Sequence, residues 1–318
     1  MNVIPDTIDL SDYLKAPDFA AKVKPASSWV EDVIAHFETP AELRGARLPW
    51  AKAHDRIRLR EGEVSLWPGM NYSGKSLITG QVALGLMRQG LPVCIASMEM
   101  RPYKTMHRMT RQACGGKEPT VDWIGRFHRW TDNRLWIFDH LGEIAADKML
   151  ALARYCAAEL KIRHFFVDSL MKCIRGEDDY NGQKDFVGGL CSIAMQTGMH
   201  IHLVHHTRKP SDDSHQPTRF DSKGSGAITD QVDNVFTTWR NKPKEREFEK
   251  AEAEKRDPAE IAMMAPDTLI ICDKQRHGEW DGKLGLFFDD ASQAYRDTRD
   301  VPWRGIGMDI PAREPGED

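Results

Sequence analysis

The chain reads as an α/β protein with a mostly parallel central sheet flanked by helices. Three observations predict this. From Glu63 onward, short apolar runs alternate with amphipathic stretches, the pattern of strands joined by crossover helices. The run VSLW passes through a glycine-containing turn straight into a helical stretch, which is a strand–loop–helix unit. The composition of the 318 residues, 41% hydrophobic and 29% charged, suits a globular chain with a sizeable core and sets aside disorder, collagen-like repeats and coiled-coil rods.

The strands follow from apolar runs four to six residues long: Val64–Trp67, Pro92–Ser97, Leu135–Asp139, His164–Asp168, Ile201–His205, Asn234–Trp239, Thr268–Cys272 and Leu284–Phe288. Between them, apolar residues recur at helical spacing over Lys75–Arg88, Pro102–Ala113, Ile144–Leu160 and Gln183–Gln196. Residues 1–48 show no evident strand. They read as an N-terminal arm with an amphipathic stretch within Ser28–Leu43, centred on Trp29–Phe37. Residues 49–300 form one domain. Within it Asn241–Glu260 alternates charge sign as a solvated helix or insertion does, and residues 301–318 form a flexible acidic tail rich in Pro and Gly.

Charge and cysteine usage narrow the function classes. A net charge of -4 exerts no global pull on nucleic acid, so any such site is a local patch. The 6 cysteines form no CxxC pair, which argues against a zinc ribbon or a disulfide scaffold at this length. No stretch approaches the roughly 18 apolar residues of a membrane span, and the N-terminus lacks a secretory order, so a cytoplasmic protein is expected.

The chemistry begins at Gly69-Met-Asn71-Tyr72-Ser73-Gly74-Lys75-Ser76-Leu77, which satisfies G-x-x-x-x-G-K-[ST] between a strand and a helix. Glycines let successive backbone N–H groups converge on phosphate oxygens at a helix N-terminus, where the dipole favours negative charge. ATP with Mg²⁺ is the expected ligand: Lys75 reaches the β- and γ-phosphates and Ser76 holds the metal. The end of the buried strand HFFVD supplies Asp168 to complete the metal site. Glu99, ending the strand that runs into SMEM, is the candidate base for the attacking water.

These residues together resemble the RecA-like motor domain of the DnaB/Twinkle class of ring-shaped replicative helicases (superfamily 4), phage primase-helicases included. The resemblance spans about residues 45–300. SMEM is similar to that family's S-L-E-M segment with the catalytic glutamate, and Asp168 matches its metal-site aspartate. LVHHTRK resembles the γ-phosphate sensor segment, which places the sensor on His206. Gly224-Ser225-Gly226-Ala227-Ile228 with Asp233-Asn234-Val235 resembles the element lining the DNA channel, with Val232 where Ala is usual. Lys274-Gln275-Arg276-His277-Gly278 is similar to the K-x-R-x-G segment, which implies that Arg276, assisted by Lys274, reaches a neighbouring subunit's ATP.

The resemblance implies a homo-oligomer, a hexamer, in which the arm of residues 1–48 packs on the neighbouring subunit through Trp29–Phe37, moving on single-stranded DNA at a forked duplex in the bacterial cytosol, encoded by a phage. No primase half precedes residue 50, so primase and DNA polymerase are expected as separate partners. The DNA contacts would come from Lys172 and Arg175 after Asp168, and from Arg208, Lys209, Arg219, Lys223, Gly224, Ser225 and Gly226 beyond His206, holding phosphates without reading bases. Phe288 on the last strand would face the adenine.

Two alternatives share the fold: a recombinase or recombination mediator, and a DNA-stimulated ATPase that does not unwind. In the strand HIHLVHH, period-two geometry puts residues 200, 202, 204 and 206 on one face, so a histidine metal site stands beside the sensor reading.

Overall fold

The computed structural model describes residues 2–15, 25–38, 44–176, 178–208, 212, 214–221 and 226–307. The strands, in chain order, are β1 (Asn2–Pro5), β2 (Ala46–Arg47), β3 (Arg58–Leu59), β4 (Val64–Gly69), β5 (Val93–Ser97), β6 (Leu135–Asp139), β7 (His164–Asp168), β8 (His200–His206), β9 (Asn234–Arg240), β10 (Thr268–Gln275), β11 (Gly282–Asp289) and β12 (Ala294–Arg296). The helices are α1 (Val30–Glu38), α2 (Lys75–Arg88), α3 (Pro102–Cys114), α4 (Val121–Trp130), α5 (Ala146–Ala158), α6 (Tyr180–Thr197), α7 (Gly226–Gln231), α8 (Lys242–Ala253) and α9 (Glu260–Met264). All eight strands read from the sequence are present.

Ten of these strands form one sheet in the order β1-β6-β5-β7-β8-β4-β9-β10-β11-β12. Pairings from β1 to β9 are parallel, and β10, β11 and β12 continue antiparallel. The central strands are buried along almost their whole length because helices cover both faces. One face buries Phe165, Leu203 and Val235 beneath α5 and α6. The other buries Ile95, Phe166 and Val204 with residues of α2, α3 and α4. The phosphate-loop strand β4 lies between β8 and β9, so its C-terminal end opens mid-sheet, where open α/β folds bind ligands.

The N-terminal region departs from its reading as strandless. Asn2–Pro5 pairs parallel with β6 at the sheet edge, and Ile4 is buried. Pro5 is tolerated there because an edge strand needs no ladder donor on its outer side. Ala46 and Leu48 already belong to the core. In the amphipathic stretch the helix is Val30–Glu38 behind a turn at Ala26–Trp29, with residues 39–43 outside the described part. Trp29, Val30, Val33, Ile34 and Phe37 are all exposed. The charged stretch holds α8, capped by Asn241 and followed by α9. Of the predicted tail, residues 308–318 lie outside the described residues.

Candidate active site

The phosphate loop leaves β4 at Gly69 and enters α2 through Gly74, whose φ of 85° is left-handed and suits glycine. The α2 N-terminus carries no side-chain cap and no acidic residue in its first turn, so its N–H groups stay available to an anion. Lys75 lies back along the loop, donating to the carbonyls of Gly69 at 2.9 Å and Met70 at 2.7 Å, with His206 Nδ1 at 3.5 Å. Burial lowers its pKa to about 8 against the opposing pull of Asp168 and Glu99. A nucleotide phosphate would supply the missing counter-charge.

Ser76 Oγ donates to Asp168 Oδ2 at 2.9 Å. Burial raises the Asp168 pKa to about 6, with Glu99 adding to the rise and Ser76, Lys75 and Arg108 opposing it. Two oxygen donors, one a desolvated carboxylate needing a cation, fit a hard divalent ion such as Mg²⁺. The ends of β5 and β7 are tied by Met98 N donating to Asp168 O at 2.9 Å, which brings Glu99 alongside; Ser169 Oγ donates to Glu99 at 3.4 Å. Glu99, Lys75, Ser76, Asp168 and His206 therefore line one cleft of about 670 Å³.

The opposite wall of this cleft belongs to β9–β12 and α8. Phe288 lines it, with its ring 5.3 Å from that of Tyr295. The Tyr295 hydroxyl sits so close over Gly74 that a Cβ there has no room. Arg240 bridges the Glu245 carboxylate at 2.5 Å and the Tyr72 carbonyl at 3.4 Å. Sequence reading missed Arg108, Arg240, Glu245, Asp267 and Tyr295. Only Arg108 had a signal in the sequence: it lies on the helix that follows Glu99 and faces the same cleft.

Other expected site residues lie elsewhere. Lys172 closes a single turn after β7, and Arg175 is exposed beyond it. Arg208 follows β8, exposed, with its N–H donating to Asp221 O at 2.8 Å. Arg219 stands 4.8 Å from the ring centroid of Phe220, which is 77% exposed. Gly226 opens α7, whereas Lys209, Lys223, Gly224 and Ser225 lie outside the described residues. Lys274 and Arg276 do not reach this chain's cleft. They sit where Gln275 pairs with Asn234, at the start of β9 and beside the start of β4.

The histidines divide between these two ends. His206 is at the cleft, while His200 and His202 meet His164 in the core at ring distances of 5.4 Å. His164 Nδ1 and His202 Nε2 are 3.1 Å apart, Trp67 Nε1 donates to His202 Nδ1 at 3.2 Å, and His200 Nε2 meets Ser65 Oγ at 2.8 Å. These nitrogens are engaged by one another and by neighbouring side chains. Burial holds the His200 pKa near about 4, and His164 and His202 well below the usual range, with neighbouring histidines adding to both.

A model of the AAA domain family matches residues 34–212. A solved structure described as the ATPase domain of G40P aligns with a TM-score of 0.70 and 14% identity, covering 87% of this chain and 100% of that one. A DnaB-like replicative helicase, described with its interactions with primase, aligns with a TM-score of 0.66 and 14% identity, covering 87% of this chain and 69% of that one. At this identity the likeness is one of fold: a mostly parallel sheet flanked by helices, the RecA-like P-loop ATPase arrangement. No helix among the described residues is long and apolar enough to cross a membrane.

Proposed function

The chain belongs to the AAA domain family, and from that premise we propose that it is the ATP-hydrolysing subunit of a ring-shaped replicative DNA helicase that translocates on single-stranded DNA. One observation carries the reading. Lys75, Ser76, Glu99, Asp168 and His206 converge in one cleft, while Arg276 lies at the opposite end of the strands. A pocket that needs this arginine is completed only by a second copy, as ring ATPases require.

The chemistry assigns each group a task. Lys75 and the α2 N-terminus hold the β- and γ-phosphates, and Ser76 and Asp168 would hold Mg²⁺, which neutralises phosphate charge when bound. Glu99 takes a proton from the water that attacks the γ-phosphorus, the bond to the β–γ bridging oxygen breaks, and ADP and phosphate leave. His206, 3.5 Å from Lys75 and last in β8, senses the loss and passes it to the loop beyond. That loop, with Arg208, Lys209, Arg219, Lys223, Gly224, Ser225 and Gly226, joins Lys172 and Arg175 in holding DNA phosphates. Lys172 and Arg208 leave the same sheet edge as the cleft, which supports this coupling.

The arm completes the ring by docking α1 on the neighbour. Its exposed Val30, Val33, Ile34 and Phe37 follow helical spacing beside Glu31 and Glu38. A cleft between α3 and α4, lined by Met106 and Ile124 with Arg101, Arg111 and Lys117, has the matching chemistry. On the resemblance, a hexamer, the bacterial cytosol, a phage gene and a separate primase and polymerase belong to the same reading.

The test is a forked-duplex unwinding assay run beside ATPase measurement across protein concentrations. ATP- and assembly-dependent strand separation supports the proposal. ATP turnover with an intact fork supports a recombination mediator or a non-unwinding ATPase instead.

A further inference from the structure

Arg276 is held, not free. A register shift between Cys272 and Lys274 inserts one extra residue in β10, and such a bulge re-aims the strand end. The end turns onto the C-terminus of α7. There Lys274 Nζ donates to the carbonyls of Thr229 at 2.9 Å, Asp230 at 2.9 Å and Val232 at 2.7 Å. These contacts commit Lys274 to closing the helix, where a cation complements the dipole.

Arg276 is gripped on one side. Its backbone N–H donates to Asp233 O at 2.9 Å, and its Nη1 pairs with Asp233 Oδ1 at 3.0 Å. Its Nη2 donates at longer range to the carbonyls of Gln231 at 3.2 Å and Asp230 at 3.4 Å. Asp233 is itself fixed: its N–H donates to Val64 O at 3.0 Å and its Oδ2 accepts from Val64 N at 2.9 Å. The aspartate side chain is 11% exposed and the arginine 45%, so the guanidinium keeps an outward side with N–H groups to spare.

We propose that Asp233 is the positioning residue for Arg276, fixing the guanidinium outward so that its remaining donors meet the phosphates of a neighbouring subunit's nucleotide. This rests on the reading of Arg276 as a trans-acting group. A guanidinium on a long flexible stem loses orientational freedom on binding, and a carboxylate anchored to the backbone removes that loss in advance. The anchor is the first residue of β4, whose last residue begins this subunit's own phosphate loop. One strand thus joins the pocket a subunit owns to the arginine it lends.

The experiment compares Asp233→Asn, Arg276→Ala and Lys75→Ala, alone and mixed. Asn can still accept from Val64 N but gives Arg276 no charge, so kcat for ATP should fall about tenfold or more with KM changed less than about twofold. The double variant D233N/R276A should be no slower than R276A. Mixing D233N with K75A should restore turnover above the sum of the two, because an intact pocket then borrows a well-held arginine from its neighbour. If R276A is fully active, the trans reading itself falls. If R276A is slow and D233N is not, or if D233N is slow and mixing fails to restore it, the positioning role is overturned and Asp233 serves the fold alone.

Discussion

The two ends of the parallel strands use polar residues in opposite ways. At the C-terminal ends, Lys75 and Asp168 are desolvated by burial in a cleft they share with the exposed Glu99. At the N-terminal ends, His164 and His202 meet each other, His200 meets Ser65, and Asn234 Nδ2 donates to the same serine, all in the core. The first arrangement stores unmet electrostatic demand that a ligand relieves; the second spends polar groups to fix strand register. Between them runs β4, with Ser65 near its start and the phosphate loop at its end.

The sharpest way to break this contrast is at Lys75. Lys75→Ala should lower ATP turnover by about 10³-fold or more while leaving thermal stability intact or raised, because a partly desolvated cation is removed; turnover and Tm on the same sample check both. Glu99→Gln should cost about 10²- to 10⁴-fold in kcat yet keep nucleotide binding, measurable as a retained Kd for ATP.

The opposite end should respond to pH rather than to ligand. The three histidines have folded pKa values below the unfolded value of about 6.5, so the unfolded chain binds more protons in that window. Stability is fully present above pH about 6.5 and is lost as pH falls from there towards the folded pKa, about 4 for His200. Between pH 7 and 5 the Tm should drop by about 5 °C or more, and His202→Leu should flatten that slope at the cost of a lower Tm at pH 7. The smallest effect expected is at Phe220, whose open ring face can stack on a base. Phe220→Ala should weaken oligonucleotide binding about fivefold by fluorescence anisotropy, with ATP turnover without DNA unchanged.

How much of this the sequence revealed follows from how local each signal is. The phosphate loop, Asp168 and Glu99 are legible because each ends or closely follows an apolar strand, where one polar residue stands out. Eight strands are legible for the same reason. The four residues of β1 and the two-residue β2 and β3 are too short to show period two, and α4, VDWIGRFHRW, mixes basic and aromatic residues within a few positions. The wall opposite the phosphate loop was hidden because Arg240, Glu245, Asp267 and Tyr295 meet only through tertiary pairing of β9 to β12. The histidine stack was hidden likewise: His164 is 36 residues before His200 and joins it only once β7 and β8 pair. Sequence resemblance pointed Arg276 outward but did not reveal the aspartate that holds it.

The contact of Tyr295 with the phosphate loop carries a consequence for the newborn chain. Tyr295 accepts from Trp50 Nε1 at 3.0 Å and exchanges hydrogen bonds with Gln81 at 2.8 Å, so the floor beneath the loop is built from residues more than two hundred positions apart. A polypeptide still on the ribosome with residue 295 inside the exit tunnel has its glycine-rich turn but not the wall that steadies it. The wall over the phosphate loop therefore forms late in translation, after nearly all of the sheet has emerged.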